Sequence, residues 1–478
     1  MRHIFNSSRL VAAALVAAAG IAGCSDIKQN LLEAPDPDII DPSQVQSAPG
    51  ATAVRNGALY RLRLMTTGSG NAGTEGTWLL GGLLADEWST SSTFVQNDET
   101  DERQISPANS SVDGSLRAIY RVPTAANQAI TLLNKYKPTP AQDIAEMYFA
   151  RGFAYMQLAQ DFCNGIPLSD GTGVTVEGGV TPLPITDVFN AAVVAYDSAI
   201  ALSALPLAKT KADSTAATAI ANAAKIGKAR ALLGLGLTNA QTAAGLVSGI
   251  PTSYTYDVSS SLTGGNNGVY AQGLSQRRYS IGDSVEGNAR NLLVKNAIPF
   301  FSLKDPRLPA TYSVGAKGDT TKGQDGLTYS RTSTIYGQTT SMSVVNGIDA
   351  RLVEAEAQLQ ANNPAGMIAT LNALRASAQT LGSVTYGANA LPPLVDPGTP
   401  DGRINLLFRE KALWTFSRGQ RLGDMRRLIR QYNRTADQVF PVGTHYRGGT
   451  YGADVNLPIT TGESNGNPKF TGCLDRKA

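Results

Sequence analysis

The sequence predicts a mainly α-helical fold: four helix pairs stacked side by side, with a ligand-binding face of irregular loops and short strands laid over them. Three observations carry this. Ile348, Leu352, Ala355 and Leu359 recur at i, i+4, i+7 and i+11, the spacing of one helix face. Met367, Leu371, Leu374 and Ala378 repeat that spacing after Asn362-Asn363-Pro364, a helix-breaking turn. Residues 249–346, by contrast, are rich in Gly, Ser, Thr, Asn and Tyr and show no helical period.

Residues 347–380 thus make a helix-turn-helix of about 34 residues, the period of a tetratricopeptide repeat. The plan recurs. Residues 112–136 and 141–163 are helical runs split by Lys137-Pro138-Thr139-Pro140. Thr186 is placed to cap a helix through Val188, Ala192, Ala195 and Ala199, and an Ala/Leu-rich helix follows near 217–247. Residues 402–417 and 420–434 make the last pair, around Gly419. The tetratricopeptide-like pairs therefore lie near 112–163, 186–247, 347–380 and 402–434. None can bury its apolar face alone, so they stack. Residues 51–65 and 76–89 read as earlier helices outside the repeats. The insert 249–346 reads as loops and short strands such as Tyr312-Ser313-Val314, and so long a stretch without helix is uncommon unless it forms a functional surface. The tail after 435 has the same character.

The N-terminus is an address. Arg2 and Arg9 flank an apolar run, Leu10 to Ala22, too short to span a bilayer permanently. It ends in Ile21-Ala22-Gly23-Cys24, which resembles a bacterial lipobox. That implies a signal peptide over 1–23, removed on export, and acylation of Cys24, each buried CH₂ adding about 0.8 kcal/mol of membrane affinity. The alternative is an ordinary secretory signal with a coincidental Cys. Residues 24–50, with Pro35, Pro37, Pro42 and Pro49, read as a tether, and 51–478 as a single domain. No other segment reads as a membrane span. Cys163 and Cys473 remain. Exported chains meet oxidising conditions, so the two are candidates for a disulfide, the alternative being separate buried thiols.

Composition excludes several classes. The net charge is only +3, and no Lys/Arg run offers a phosphate-binding stripe, so nucleic acid is not an expected partner. Charged residues make up 17%, against about 25% in soluble domains, and the shortfall is filled by small polar residues, a surface suited to polar, uncharged ligands. With His3 in the leader, only His445 remains, so no His-rich zinc site is expected, nor any other metal or cofactor. A Ser-His-Asp arrangement would have to use His445, in a Gly- and Thr-rich loop. Asp86 and Glu87 are adjacent on a helix and point about 100° apart, so they do not face each other as glycosidase carboxylates do; they read as caps or local pairs. Arg351 with Glu354 and Glu356, and Arg421 with Asp424, Arg426 and Arg427, read as ion pairs locking one helix pair to the next.

Short motifs in a fixed order now add up. They run from Leu79-Leu80-Gly81-Gly82-Leu83-Leu84-Ala85-Asp86-Glu87 through Ile119-Tyr120-Arg121, Ala126-Asn127-Gln128-Ala129-Ile130, Ala150-Arg151-Gly152-Phe153-Ala154-Tyr155 and Ile166-Pro167-Leu168. Further on come Asp305-Pro306-Arg307, Ala350-Arg351-Leu352-Val353-Glu354-Ala355-Glu356-Ala357, Asn372 with Arg375, Phe408-Arg409-Glu410-Lys411, Gly419 to Arg427, Leu457-Pro458-Ile459 and Asn467-Pro468. From Cys24 to about Phe470 the chain resembles the SusD/RagB family of nutrient-uptake lipoproteins. It departs from the pattern at Arg418, where the family has an acidic residue, at Cys163-Asn164-Gly165, and at Gly466-Asn467-Pro468, a reduced Gln-Asn-Pro tail.

The resemblance implies a cell-surface lipoprotein, held in the outer membrane by its lipid, that captures a glycan or peptide. It also implies a partner, a SusC-like TonB-dependent β-barrel transporter on which the protein sits as a lid. No catalysis is expected. Sugar rings stack on aromatics, and pockets combine apolar walls with a few polar groups. The candidate ligand-binding residues are Trp88, Phe94 and Asn97 after the Asp86-Glu87 helix end, and Tyr270, Arg277, Tyr279, Tyr329 and Tyr336 in the insert. Trp78 and Trp414, on apolar helix faces, read as core. Two other readings compete: a tetratricopeptide-like interaction scaffold at the outer membrane, and a surface hydrolase, for which no convergent acid/base set is recognisable.

Overall fold

The computed structural model describes residues 45–69, 75–168, 179–205, 210–286 and 292–478. The leader, Cys24 and most of the tether lie outside the described residues. Among them the helices are α1 (Ala48–Thr67), α2 (Thr77–Ala85), α3 (Val95–Asp101), α4 (Ser110–Tyr136), α5 (Gln142–Asp161), α6 (Ile185–Ser203), α7 (Lys211–Leu235) and α8 (Ala240–Val247). After the insert come α9 (Gly347–Gln360), α10 (Pro364–Ala376), α11 (Pro400–Trp414), α12 (Arg421–Tyr432), α13 (Ala436–Val439) and α14 (Thr461–Gly466).

Local chemistry sets the helix ends. Asn109 accepts a hydrogen bond from the Val112 amide at the start of α4. Asn346 and Asp349 form a reciprocal capping box on α9. Asn362 takes a left-handed conformation (φ 53°) and Asn363 caps α10. Three expectations shift. The tether ends early, because Ser47 already caps α1 through the Gly50 amide. Thr186 is not a cap, since α6 begins at Ile185, behind Pro184. The helix near 217–247 is two, α7 and α8, parted at Gly236 by a 3₁₀ turn over 237–239.

Helices α4/α5, α6/α7 and α9/α10 pack as hairpins, and α5 also lies along α6. Helices α11 and α12 touch each other little; α12 packs instead on α2 and α5. That is possible because α2 (TWLLGGLLA) is apolar all round and buried along its whole length. Gly419 permits the close turn before α12: its φ is +64°, and a Cβ there would lie 2.0 Å from Cδ1 of Trp78. Trp78 and Trp414 are both core residues. Helix α6 is, by length and composition, apolar enough to cross a membrane, contrary to the reading that no later segment is. Here Val188, Phe189, Ala192, Ala195 and Tyr196 are buried, and it packs between α5 and α7 as a core helix does.

Short antiparallel pairs hold the loops: β2 (Ile166–Pro167) with β3 (Pro182–Leu183) after α5, β6 (Val285–Glu286) with β7 (Leu292–Leu293) inside the insert, and the pairs that fix the insert in place. Strand β1 (Trp88–Thr90) pairs with β5 (Tyr279–Ile281), bringing Thr90 opposite Tyr279. Within the insert, β4 (Thr255–Val258) pairs with β10 (Met342–Asn346), closing its two ends, and β8 (Ala310–Tyr312) with β9 (Arg331–Ser333). Cys163 at the end of α5 and Cys473 in the tail are joined by a disulfide, with Cα atoms 6.0 Å apart. Asn164 also holds Asp475 at 2.8 Å. The unusual Cys163-Asn164-Gly165 step is where the tail is fastened.

The charged motif residues meet in the interior. Arg421 donates two hydrogen bonds to Asp86. Glu356 of α9 takes Lys411 of α11 (3.0 Å), Arg427 of α12 and the Tyr432 hydroxyl (2.7 Å). Glu410 binds Arg307 and Arg375, each at 2.8 Å. Arg418 grips Asp349 at 2.7 and 3.0 Å, and that carboxylate accounts for a cation where an acidic residue was expected. Two expected pairings change. Asp86 is the C-cap of α2, its amide donating to the Gly82 carbonyl, but neither side chain pairs locally: Asp86 binds Arg421, and Glu87 accepts the Ser417 amide at 2.9 Å. Arg421 accordingly turns away from Asp424, whereas Asp424 and Arg427 keep a 3.5 Å helical pair.

Candidate ligand-binding face

The face is built from three segments: the loop after β1, the turn before β5, and the excursion between β8 and β9. Backbone and side chains stitch them together. The Ser91 amide donates to the Arg278 carbonyl (2.8 Å), the Gln324 amide to the Arg277 carbonyl (3.1 Å), and the Asp325 amide to the Ser91 carbonyl (3.0 Å). From the tail, Arg447 reaches Asp98 (3.1 Å), Asp325 (2.9 Å) and the Ser92 carbonyl (2.7 Å). Burial pushes the Asp98 carboxyl up to about 6, against the pull of Arg447 and the Thr90 hydroxyl.

On this frame Phe94, Tyr312 and Tyr329 stand in solvent, 39%, 47% and 52% exposed. The rings are not isolated. Tyr312 packs on Phe301 (centroids 4.7 Å apart) and meets Tyr329 edge-on (6.3 Å). Leu327 and Val314 extend the apolar surface. Cations sit on the rings: Arg278 lies 4.2 Å from the Phe94 centroid, Lys304 3.9 Å from that of Phe301, and Lys322 5.9 Å from that of Tyr329.

Of the eight expected ligand residues, Phe94 and Tyr329 are on this face, and Arg277 is half-buried at its turn. Tyr270 is half-buried and opens a π-helical turn over 270–275. Four belong to the interior. Trp88 packs on Tyr279 and Phe416 and donates to Ser417. The Asn97 amide donates to Glu75 (3.0 Å) and to the Tyr279 hydroxyl (2.8 Å), which itself donates to Glu75 (2.9 Å). Burial raises the pKa of Glu75, with the Tyr279 and Asn97 hydrogen bonds opposing it. Trp88, Asn97 and Tyr279 thus support the face from beneath: β1–β5 pairing holds Trp88 and Tyr279 in the interior, and Asn97 reaches Tyr279 from α3. Tyr336 is also buried, its hydroxyl donating to the Phe416 carbonyl at 3.1 Å. It borders a separate cleft of about 490 Å³ with Tyr254, Asp257, Gln379 and Arg418 on its walls.

Tyr312, Arg278, Lys304 and Lys322 escaped sequence reasoning. The alternation in Tyr312-Ser313-Val314 was a usable signal, since Ser313 is buried and its two neighbours are exposed. Nothing local marked the cations. Asp86 and Glu87 are not on this face: both are buried and engaged in the core.

No protein-family model matches the chain, and no curated protein does. Solved structures do. A SusD superfamily protein from Bacteroides vulgatus superposes with a TM-score of 0.59 at 14% identity, over 89% of this chain and 98% of its own. A SusD-like carbohydrate-binding protein from Bacteroides fragilis gives 0.61 at 15% identity, over 89% and 99%. A further SusD superfamily protein from Bacteroides fragilis gives 0.60 at 16%, again over 89% and 99%. From helix pairs to loop-borne face, this chain has the fold of the SusD superfamily.

Proposed function

We propose that the protein is a SusD-family nutrient-binding lipoprotein of the cell surface that captures a glycan by stacking and hands it to a TonB-dependent outer-membrane transporter. One observation carries the reading: Phe94, Tyr312 and Tyr329 stand exposed on loops and a short strand pinned to the helical scaffold. An exposed, fixed aromatic surface matches the apolar C–H faces of sugar rings and needs little ordering on binding. Two of the solved structures that share the fold are named as carbohydrate-binding proteins. Residues 1–23 then serve as the leader, Cys24 carries the lipid, and 51–478 act as one domain. The protein works by binding and not by catalysis.

The test is a pull-down of the tagged protein from mild-detergent outer-membrane extracts, with mass spectrometry of what accompanies it. A stoichiometric β-barrel of the SusC type is expected. Its absence, with Cys24 acylated and control complexes intact, would sink the handover.

A further inference from the structure

Resting on that reading of the face, we propose that its ligand is an anionic glycan, one whose sugar rings carry carboxylate or sulfate groups. The composition suggested an uncharged ligand; the placement of the cations argues otherwise. Arg277, Lys304 and Lys322 lie about the exposed rings, and none of them forms an ion pair with a carboxylate among the described residues; Lys304 donates only to the Ala310 carbonyl (3.2 Å), while Arg278 is buried, donates to Gln324 (3.1 Å) and faces the Glu75 charge. Elsewhere buried arginines are engaged, either with carboxylates, as at Arg307, Arg418, Arg421 and Arg427, or with backbone carbonyls, as at Arg63, Arg103 and Arg426. The nearby carboxylates are already taken: Arg447 holds Asp98 and Asp325, and Ser302 donates to Asp283. Lys317 and Asp319, farther round the β8–β9 excursion, offset each other in charge.

Two of these cations are held in unusual backbone. Arg277 has φ 55° and Lys304 φ 50°, the left-handed region that side chains other than Asn and Asp seldom adopt. Such conformations persist where the surroundings impose them, and they cluster at ligand sites. The Arg277 Nε, like that of several other arginines in this chain, is buried without a hydrogen-bond partner, and the residue is only half-buried at the turn that borders the face. A guanidinium so placed is ready for an acid group, and its fork matches carboxylate and sulfate oxygens. Lys322 by the exposed Tyr329, and Lys304 on the buried Phe301 that backs the exposed Tyr312, put positive charge beside the surface where a sugar stacks, next to any acid group that the sugar bears.

The experiment probes an array of neutral, uronate-bearing and sulfated polysaccharides, their carboxyl-reduced and desulfated forms, and acidic peptides. The mature chain is compared with an Arg277→Gly, Lys304→Gly, Lys322→Gln variant. Glycine accepts φ near 50° freely, so the charges go without straining either turn. Binding to acidic glycans is expected, with the uronate and sulfate arms identifying which group is read. It should weaken with salt, vanish for the reduced or desulfated forms, and fall by about tenfold or more in the variant. Equal binding of neutral glycans, unchanged in the variant, overturns the anionic ligand and leaves the glycan reading standing. Acidic peptides bound in place of glycans, or no hit at all, overturn both.

Discussion

Arg421 and Asp86 lie 335 residues apart in the chain and are joined by two hydrogen bonds, 2.7 Å from Nε and 2.9 Å from a terminal nitrogen. Both are buried, and the second Asp86 oxygen also accepts the Ile298 amide at 2.9 Å. One carboxylate therefore ties α2, α12 and the insert together. Breaking one side of a buried pair leaves the other charge stranded. Asp86→Ala should lower stability by roughly 3–5 kcal/mol in urea unfolding. A loss under about 1 kcal/mol would show that the pair is dispensable.

Arg418→Glu places a second acidic side chain against Asp349. Like charges and two lost hydrogen bonds should destabilise the protein by about 3 kcal/mol or more. Adding Asp349→Arg should recover part of that loss in a double-mutant cycle. Strict additivity would mean that the bidentate contact is not what holds Arg418.

Glu87 gives a pH signature. Burial raises its carboxyl from the usual 4.5 to about 8 in the folded protein, and the Ser417 amide only partly opposes this. A carboxyl whose folded pKa is raised contributes stability below its unfolded pKa and loses it as pH rises toward the folded value. The protein should therefore lose stability between about pH 4.5 and 8 through this group. Glu87→Gln should flatten that decline in chemical unfolding measured across the range. An unchanged slope would show that Glu87 ionises normally.

The Cys163–Cys473 bond closes a loop of 310 residues. Replacing both cysteines by Ser should lower stability by roughly 2–5 kcal/mol, read as a lower melting temperature in the variant and in reduced wild type. Melting unaffected by reductant would make the staple energetically idle.

The face and its support should separate cleanly. Phe94→Ala and Tyr329→Ala remove exposed rings, so they should weaken glycan binding while leaving unfolding within about 0.5 kcal/mol of wild type. Trp88→Ala, in the core beneath, should cost about 3–5 kcal/mol. Isothermal titration and urea unfolding of the same three variants compare the two effects. Loss of stability in Phe94→Ala would make that ring structural.

The sequence by itself determined the long helices and their order, but not the short helix Val95–Asp101 or the break at Gly236. Apolar residues at i, i+4 and i+7, and breakers such as Asn362-Asn363-Pro364, act within one turn of backbone, so they can be read locally. It also marked 249–346 as different and Phe94 and Tyr329 as candidates. What it could not decide is which way an insert residue faces. Trp88 and Phe94 are six positions apart, yet pairing of β1 with β5, some 190 residues on, turns one inward and leaves the other in water. The same holds for charge. Arg421 sits three residues from Asp424, an ideal local partner, but takes Asp86 because α2 packs on α12. Burial makes distant partners compulsory, since a buried ion must be paired wherever its partner lies in the chain. Only the tertiary structure supplies those partners, and only it shows where cations were left without one.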